Sequence, residues 1–244
     1  FNLGKLLNDT KQFGSLSLTS ELSGKGFDLK YLKANTTTNI QNFTYHGYNY
    51  KNIELTGDFD RKYFNGKLHI NDENIGLSLV GKVDLNKKIP SFLFETKLNR
   101  AKLKTLNLYD KDLIVSTQIN GDFSVKNIDK NSGNIKITNT NFEYNNADYN
   151  FDEINIKSSN AGTTNRKLIF KSDFLNANIN GEYNFMNLQK CFHNMLCKII
   201  PAYLTPYKNE EINKQNFDYY LNIKSTRKLS PLFFPEIGIE QMEL

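Results

Sequence analysis

The chain contains no tryptophan, only two cysteines and three histidines in 244 residues, and no apolar run long enough to span a membrane. Each scarcity removes a class of function. His46 stands beside a turn glycine, His69 falls on the polar side of an alternating segment, and His193 falls on the polar side of a helical one. None has a second histidine, cysteine or carboxylate at ligand spacing, so the sequence offers no zinc site. Cys191 and Cys197 are six residues apart on a predicted helix, about 9 Å of rise, beyond the usual reach of a disulfide. The spacing predicts Cys191 in the core and Cys197 exposed or partly covered. There is no nucleophile elbow, phosphate-binding loop or dinucleotide fingerprint. Asp58, Asp60, Asp72 and Glu73 fall in turn signals, where solvated carboxylates are ordinary. Without tryptophan or other pocket signals, a glycosidase carboxylate pair has no setting. The charge of +5 comes from 31 basic and 26 acidic residues scattered along the chain. No run of five or six Lys/Arg forms a nucleic-acid patch. A solvated lysine-rich surface is the plain reading, and a mild attraction to anionic lipid head groups is the alternative. The expectation is a protein that is not an enzyme and has no cofactor or metal.

What is present is alternation. Only 39% of residues are apolar and mean hydropathy is −0.55, low for a globular domain, yet nearly every segment is cleanly two-faced. In NGKLHINDENIGLSLVGKVDL (Asn65–Leu85), Leu68 and Ile70 alternate with Lys67, His69 and Asn71. Asn71 to Asn74 then supply a turn. Ile75, Leu77, Leu79, Val83 and Leu85 share one face of the return strand, against Ser78, Lys82 and Asp84. That is a hairpin with one face away from water. Gly81 interrupts the apolar row, which in a strand often marks a bend or a close approach. Further strands are predicted at 36–45, 48–59, 63–72, 75–85 and 91–99, after alternation that begins at Leu16. Gly24–Leu32 and Arg100–Leu108 read as turns or short crossovers.

The pattern then restarts. Ile119-Asn120-Gly121 repeats Leu22-Ser23-Gly24, and Asn141-Phe142-Glu143-Tyr144 repeats Asn42-Phe43-Thr44-Tyr45. Tyr149 to Ile156 follows Tyr48 to Leu55, and Ile179-Asn180-Gly181 follows Leu79-Val80-Gly81. Phe217, Tyr219, Leu221 and Ile223 stand for Phe92, Phe94, Thr96 and Leu98. Apolar parity slips between Ile40 and Phe43, and again between Tyr50 and Ile53. The second copy slips at the matching places, between Ile137 and Phe142 and between Phe151 and Ile154. Each slip requires a bulge or a turn. A duplication is therefore predicted, each copy a small sheet of five or six strands. Residues 1–15 read as the end of a preceding element, 16–112 as the first copy, 113–235 as the second, and 236–244 as the start of a following element. Both ends read as cut from a longer polypeptide.

One segment breaks the symmetry. Residues 187–216 replace the short link 86–91. There Leu188, Cys191, Phe192, Met195, Leu196, Ile199 and Ile200 follow helical spacing, with Asn187 as N-cap and Pro201 as stop. The helix is expected to cover a stretch of the sheet's apolar face through Leu188, Phe192, Met195 and Ile199. A lid, a groove contact, or a membrane or partner contact are the alternatives.

The run GDFDRKYFNGKLHINDENIGLSLVGKVDL (Gly57–Leu85), followed by IPSFLFETKLNRAKLKTLNL (Ile89–Leu108), resembles the TamB (translocation and assembly module) family of Gram-negative envelopes, related to the AsmA-like proteins. The resemblance implies a mainly β fold: an elongated, curled, antiparallel-rich sheet, the β-taco or repeating β-groove, with an apolar concave face and one inserted amphipathic helix. It also implies a periplasmic segment of a chain anchored in the inner membrane, carrying phospholipid acyl chains toward the outer membrane. A scaffold for outer-membrane protein assembly by β-augmentation is the alternative function. A β-solenoid adhesin or surface domain is a third. An outer-membrane β-barrel protein at one end is an implied partner; nucleic acid is not. Membrane contact would come through parts outside the segment. By analogy, the groove in the first copy is lined by Leu68 and Ile70, by Leu77, Leu79, Val83 and Leu85, and by Phe92, Phe94 and Leu98. In the second copy Ile179 and Tyr183 line it with Tyr219, Leu221 and Ile223. About a dozen strands at ~4.8 Å give a groove of ~50–60 Å.

Overall fold

The computed structural model describes residues 1–26, 28, 30–160, 165–199, 215–225, 227–233 and 242–243. It is mainly β. One antiparallel sheet follows chain order from β1 to β13, each strand pairing with the next, and it does not close. The first six strands are β1 (Phe13–Lys25), β2 (Lys33–Tyr45), β3 (Tyr48–Asp60), β4 (Tyr63–Asn71), β5 (Ile75–Asp84) and β6 (Ser91–Lys102). Six more follow: β7 (Leu113–Asn127), β8 (Lys130–Tyr144), β9 (Ala147–Asn160), β10 (Arg166–Ser172), β11 (Leu175–Glu182) and β12 (Asn216–Ile223). The two-residue β13 (Met242–Glu243) pairs with Asn222 and Ile223. Helices are few: α1 (Leu3–Leu7), α2 (Phe185–Ile199) and α3 (Ser230–Phe233).

Local chemistry explains the connections. The links β2–β3 and β8–β9 are two-residue turns, His46-Gly47 and Asn145-Asn146, all with positive φ. Both central residues left-handed is the type I′ geometry, whose twist matches that of the flanking strands. The parity slips predicted on neighbouring strands turn out to be two sides of one rung. Register runs on unbroken from Ile40↔Ile53 to Asn42↔Lys51, and Asn52 between them has φ 53°. The second copy does the same at Asn139, φ 52°, between Ile137↔Ile154 and Thr140↔Phe151. A left-handed asparagine rotates the pleat by one residue, so apolar side chains three apart share a face. Asparagine tolerates that conformation better than most side chains.

The pairings also correct the alignment of the two copies. Gly81↔Phe94 recurs as Gly181↔Phe217, and Leu79↔Thr96 as Ile179↔Tyr219. Phe217 therefore stands for Phe94, not Phe92. Beside the asparagine rung, Leu18↔Ile40 and Ile119↔Ile137 are equivalent, so Ile119 corresponds to Leu18 rather than Leu22. Sequence similarity followed the aromatic and glycine letters; strand pairing fixes the register.

Three further expectations change. α2 begins at Phe185, and the side chain of Asn184 accepts the N–H of Met186 at 3.0 Å. Asn184 is the cap and Asn187 lies inside the first turn. Pro201 and Ile200, and the side chains of Met195, Leu196 and Ile199, lie outside the described residues. Cys197 is buried at 6% exposure and Cys191 is half-buried, the reverse of the helical-wheel expectation. Cys197 lies about half a turn around the helix from Leu188, so α2 is covered on that side as well. Asp72, read as a solvated turn residue, is 8% exposed. It accepts the Tyr48 hydroxyl at 2.6 Å and the N–H groups of Lys51 and Asn74 at 3.0 and 2.9 Å. The β4–β5 turn is thereby tied to the start of β3. Burial, and then the bond to Asp72, push the Tyr48 phenol above its ordinary pKa.

Candidate functional site

Cross-strand pairs face the same way, so the registers decide which side chains share a surface. One row runs Leu55, Leu68, Leu79, Thr96, Ile119, Ile137, Ile154 across β3 to β9. A parallel row runs Phe59, Phe64, Val83, Phe92, Phe123 across β3 to β7. In the second copy Leu168, Ile179 and Tyr219 align, as do Phe170, Ala177 and Leu221. This is one apolar face spanning the sheet. Leu68, Ile70, Leu77, Leu79, Val83, Phe92, Phe94, Leu98, Ile179, Tyr219, Leu221 and Ile223 all stand on it, and Tyr183 continues its parity past the end of β11. Leu85 falls just beyond β5 and is exposed. The opposite face is polar, with ion pairs Lys33–Asp60 at 3.2 Å and Lys136–Glu153 at 2.9 Å, and His69 bonded to Ser78 at 3.0 Å.

Between those rows lies a strip of glycines and rings. Gly57, Gly66 and Gly81 pair in sequence and lead to Phe94, which pairs with Gly121. The Phe64 ring lies over Gly57 and Gly66, and the Phe94 ring lies over Gly121; a Cβ on any of the three would collide with a ring. The glycines thus let aromatic rings lie flat on the sheet. Their neighbours continue the ring surface: Phe59–Phe64 centroids are 4.7 Å apart, and Phe92–Phe123 are stacked at 5.3 Å.

The face is a groove rather than half of a closed core. Most of its residues, including Leu68, Leu77, Leu79, Phe92 and Phe94, are only half-buried. The fully buried side chains lie at one end of it. Leu106, at 0% exposure, packs with Tyr50 on β3, Ile75 on β5 and Ala101 on β6. Around it Ile53, Ile70, Leu77 and Leu98 complete one cluster that joins β3, β4, β5 and β6 at this end of the face. Leu232 of α3, at 1% exposure, does the same in the second copy against Leu113, Val115 and Phe151. Arg100–Leu108, expected as a crossover, is a plug at this end of the groove, and the segment after β12 supplies its counterpart through Leu232. No alternation reveals these leucines, because they act outside any strand.

The apolar side of α2 closes the groove near the end of the second copy. Leu188, Phe185 and Phe192 pack with Ile179, Tyr183, Leu168 and Phe217, and the Phe192 ring lies 5.6 Å from that of Tyr219. Toward β1 the face turns polar: Ser20, Thr36 and Thr38 join hydroxyls at 2.8 to 3.3 Å. Among the described residues no three His, Cys, Asp or Glu side chains gather as metal ligands. No described helix is long and apolar enough to cross a membrane. No family model, curated protein or solved structure matches the chain.

Proposed function

We propose that the chain carries lipid acyl chains along the open groove, as a segment of a bridge moving phospholipid between the two membranes of a Gram-negative envelope. The observation that carries this reading is the continuous apolar face, half-buried and flanked by a polar outer surface. Large uncovered apolar surfaces mark binding sites. Acyl chains make no directional demands, and each methylene removed from water contributes roughly 0.8 kcal/mol. Flat rings and aliphatic rows offer few polar traps to a sliding chain. The resemblance to the TamB family supplies the rest of the proposal: a periplasmic location, an inner-membrane anchor in other parts of the polypeptide, and an outer-membrane β-barrel protein as partner.

Native mass spectrometry and lipid extraction of the purified protein test it: co-purified phospholipid is expected. A lipid-free protein that also takes up none from vesicles would sink the reading. A second reading has its own support in β1, a 13-residue edge strand without proline whose Leu22 is 68% exposed. Such an edge can receive an added strand, as a scaffold for unfolded β-barrel segments would. Photo-crosslinkers at Leu79 and at Thr19 separate the two, by lipid adducts at the first or peptide adducts at the second.

A further inference from the structure

The second copy holds a chamber on its apolar face. A cavity of about 640 Å³ lies among β7, β8, β9 and β10, floored by Phe123, Ile135, Ile156, Leu168 and Phe170, with Phe185 of α2 against it. That volume suits one small amphiphile. Its lining changes character along the strands. Asn131, Ser132 and Ser158 also border it, and two rungs beyond Ser158↔Leu168, on the same face, stands Asn160↔Arg166.

That rung carries a built polar cluster. Arg166 Nη1 donates to Asp129 Oδ1 at 2.7 Å, with both side chains mostly buried. Asp129 also accepts the Phe185 N–H at 2.8 Å and the Asn184 amide at 2.6 Å. The loop between β7 and β8 therefore holds the first turn of α2 in place. The guanidinium lies 5.8 Å from the centre of the Tyr183 ring. Tyr183 is 5% exposed and packs with Leu168 and Phe185, both of which line the chamber. Three polar atoms here are buried with no protein partner: Arg166 Nε, the Tyr183 hydroxyl and Asn160 Oδ1. Buried polar groups are normally paired, and an orphan calls for an explanation. Burial, only partly opposed by the nearby Arg166 charge, holds the Tyr183 phenol above its ordinary pKa, so it remains a donor.

The charges of Arg166 and Asp129 cancel, so another full charge of either sign is poorly compensated in this mostly buried setting. Two spare donors and one spare acceptor fit an uncharged head bearing an ester carbonyl and a hydroxyl. We propose that the chamber binds a single acyl chain, tail on the Phe123–Phe170 floor, with an uncharged ester-and-hydroxyl head held by Arg166, Tyr183 and Asn160 under α2. Asp129 is a positioning residue that fixes Arg166 and the roof helix. This rests on the reading of the groove as an acyl-chain carrier.

The test is displacement of methyl cis-parinarate, an uncharged fluorescent ester, from the full chain by 1-monooleoylglycerol or by oleate. Monooleoylglycerol is expected to compete about tenfold better than oleate, one hydrogen bond to a buried group being worth about that factor. Val125→Trp, which fills the chamber, should abolish that competition. Tyr183→Phe removes only an unpartnered hydroxyl, so it should fold normally while losing about tenfold in monooleoylglycerol competition. Equal competition by oleate and monooleoylglycerol, or an unchanged Tyr183→Phe, overturns the chamber. Leu79→Glu, in the first copy, keeps the two readings apart. Binding abolished by Leu79→Glu but untouched by Val125→Trp leaves the groove and refutes the chamber. Binding indifferent to both refutes both.

Discussion

A pair of leucines in the first copy tests whether the apolar face is a groove or a core. Leu106 is fully buried in the plug, in one cluster with residues of β3, β5 and β6. Leu79 stands in the middle of the apolar face and is half-buried. For Leu106→Ala the transfer and cavity terms both apply, and a loss of about 2–5 kcal/mol is expected. For Leu79→Ala no enclosed cavity is created. Fully burying a leucine is worth about 1.5–3 kcal/mol, and a half-buried one whose methyl groups are partly lost should cost about 1 kcal/mol or less. The assay is urea unfolding followed by far-UV circular dichroism, with the slope compared between variants. Both sites lie in the same six-strand copy, so loss of cooperativity between copies affects them alike. With lipid vesicles present the order of ligand effects should reverse: Leu79→Ala should lose lipid-induced stabilisation, and Leu106→Ala should retain it. If Leu79→Ala costs as much as Leu106→Ala without lipid, that face is packed against protein and the groove reading fails.

Leu79→Glu places a carboxylate on the floor and should abolish lipid transfer between donor and acceptor vesicles while leaving the β spectrum in place; undiminished transfer would show that another face carries the lipid. Gly121→Ala drives a Cβ into the Phe94 ring and should cost about 1–3 kcal/mol, measured by the unfolding midpoint, with recovery in Gly121→Ala/Phe94→Leu. Asn52→Ile puts a β-branched residue at φ 53° and should cost about 1–3 kcal/mol, whereas Asn52→Gly should be close to neutral. Tyr48, Tyr50 and Tyr183 all have pKa values raised above 10.0, chiefly by burial. The folded state therefore holds these protons more tightly than the unfolded state. Their contribution is complete below about pH 10 and is lost as pH rises through the folded values. Tyr50→Phe should flatten that alkaline decline in pH-dependent melting, and an identical decline in the variant would refute the assignment.

The strands and the two-faced sheet are legible in the letters alone, because a period of two is a local property that each strand states for itself. Strands predicted at 48–59 and 75–85 stand at Tyr48–Asp60 and Ile75–Asp84. The slips at Ile40/Phe43 and Tyr50/Ile53 were visible in the letters. That they are one rung turned by a left-handed Asn52 was not, since it depends on which strand lies beside which. The same limit explains the misaligned Phe217 and Ile119: letters can be matched at several even offsets, and only hydrogen-bonded neighbours choose among them.

Tertiary structure alone decided what covers what. Asp72 looks like any turn aspartate until Tyr48, 24 residues away, closes over it. Leu103-Lys104-Thr105-Leu106 carries no strand signal, yet Leu106 becomes the most buried side chain of the first copy because it joins side chains of β3, β5 and β6 in one cluster. Asp129 and Arg166 are 37 residues apart and meet only because β8 and β9 return the chain to the same end of the sheet. Alternation fixes which face is apolar. Curvature, plug and helix decide how much of that face stays open, and they do so through contacts between segments that carry no mark of each other in the sequence.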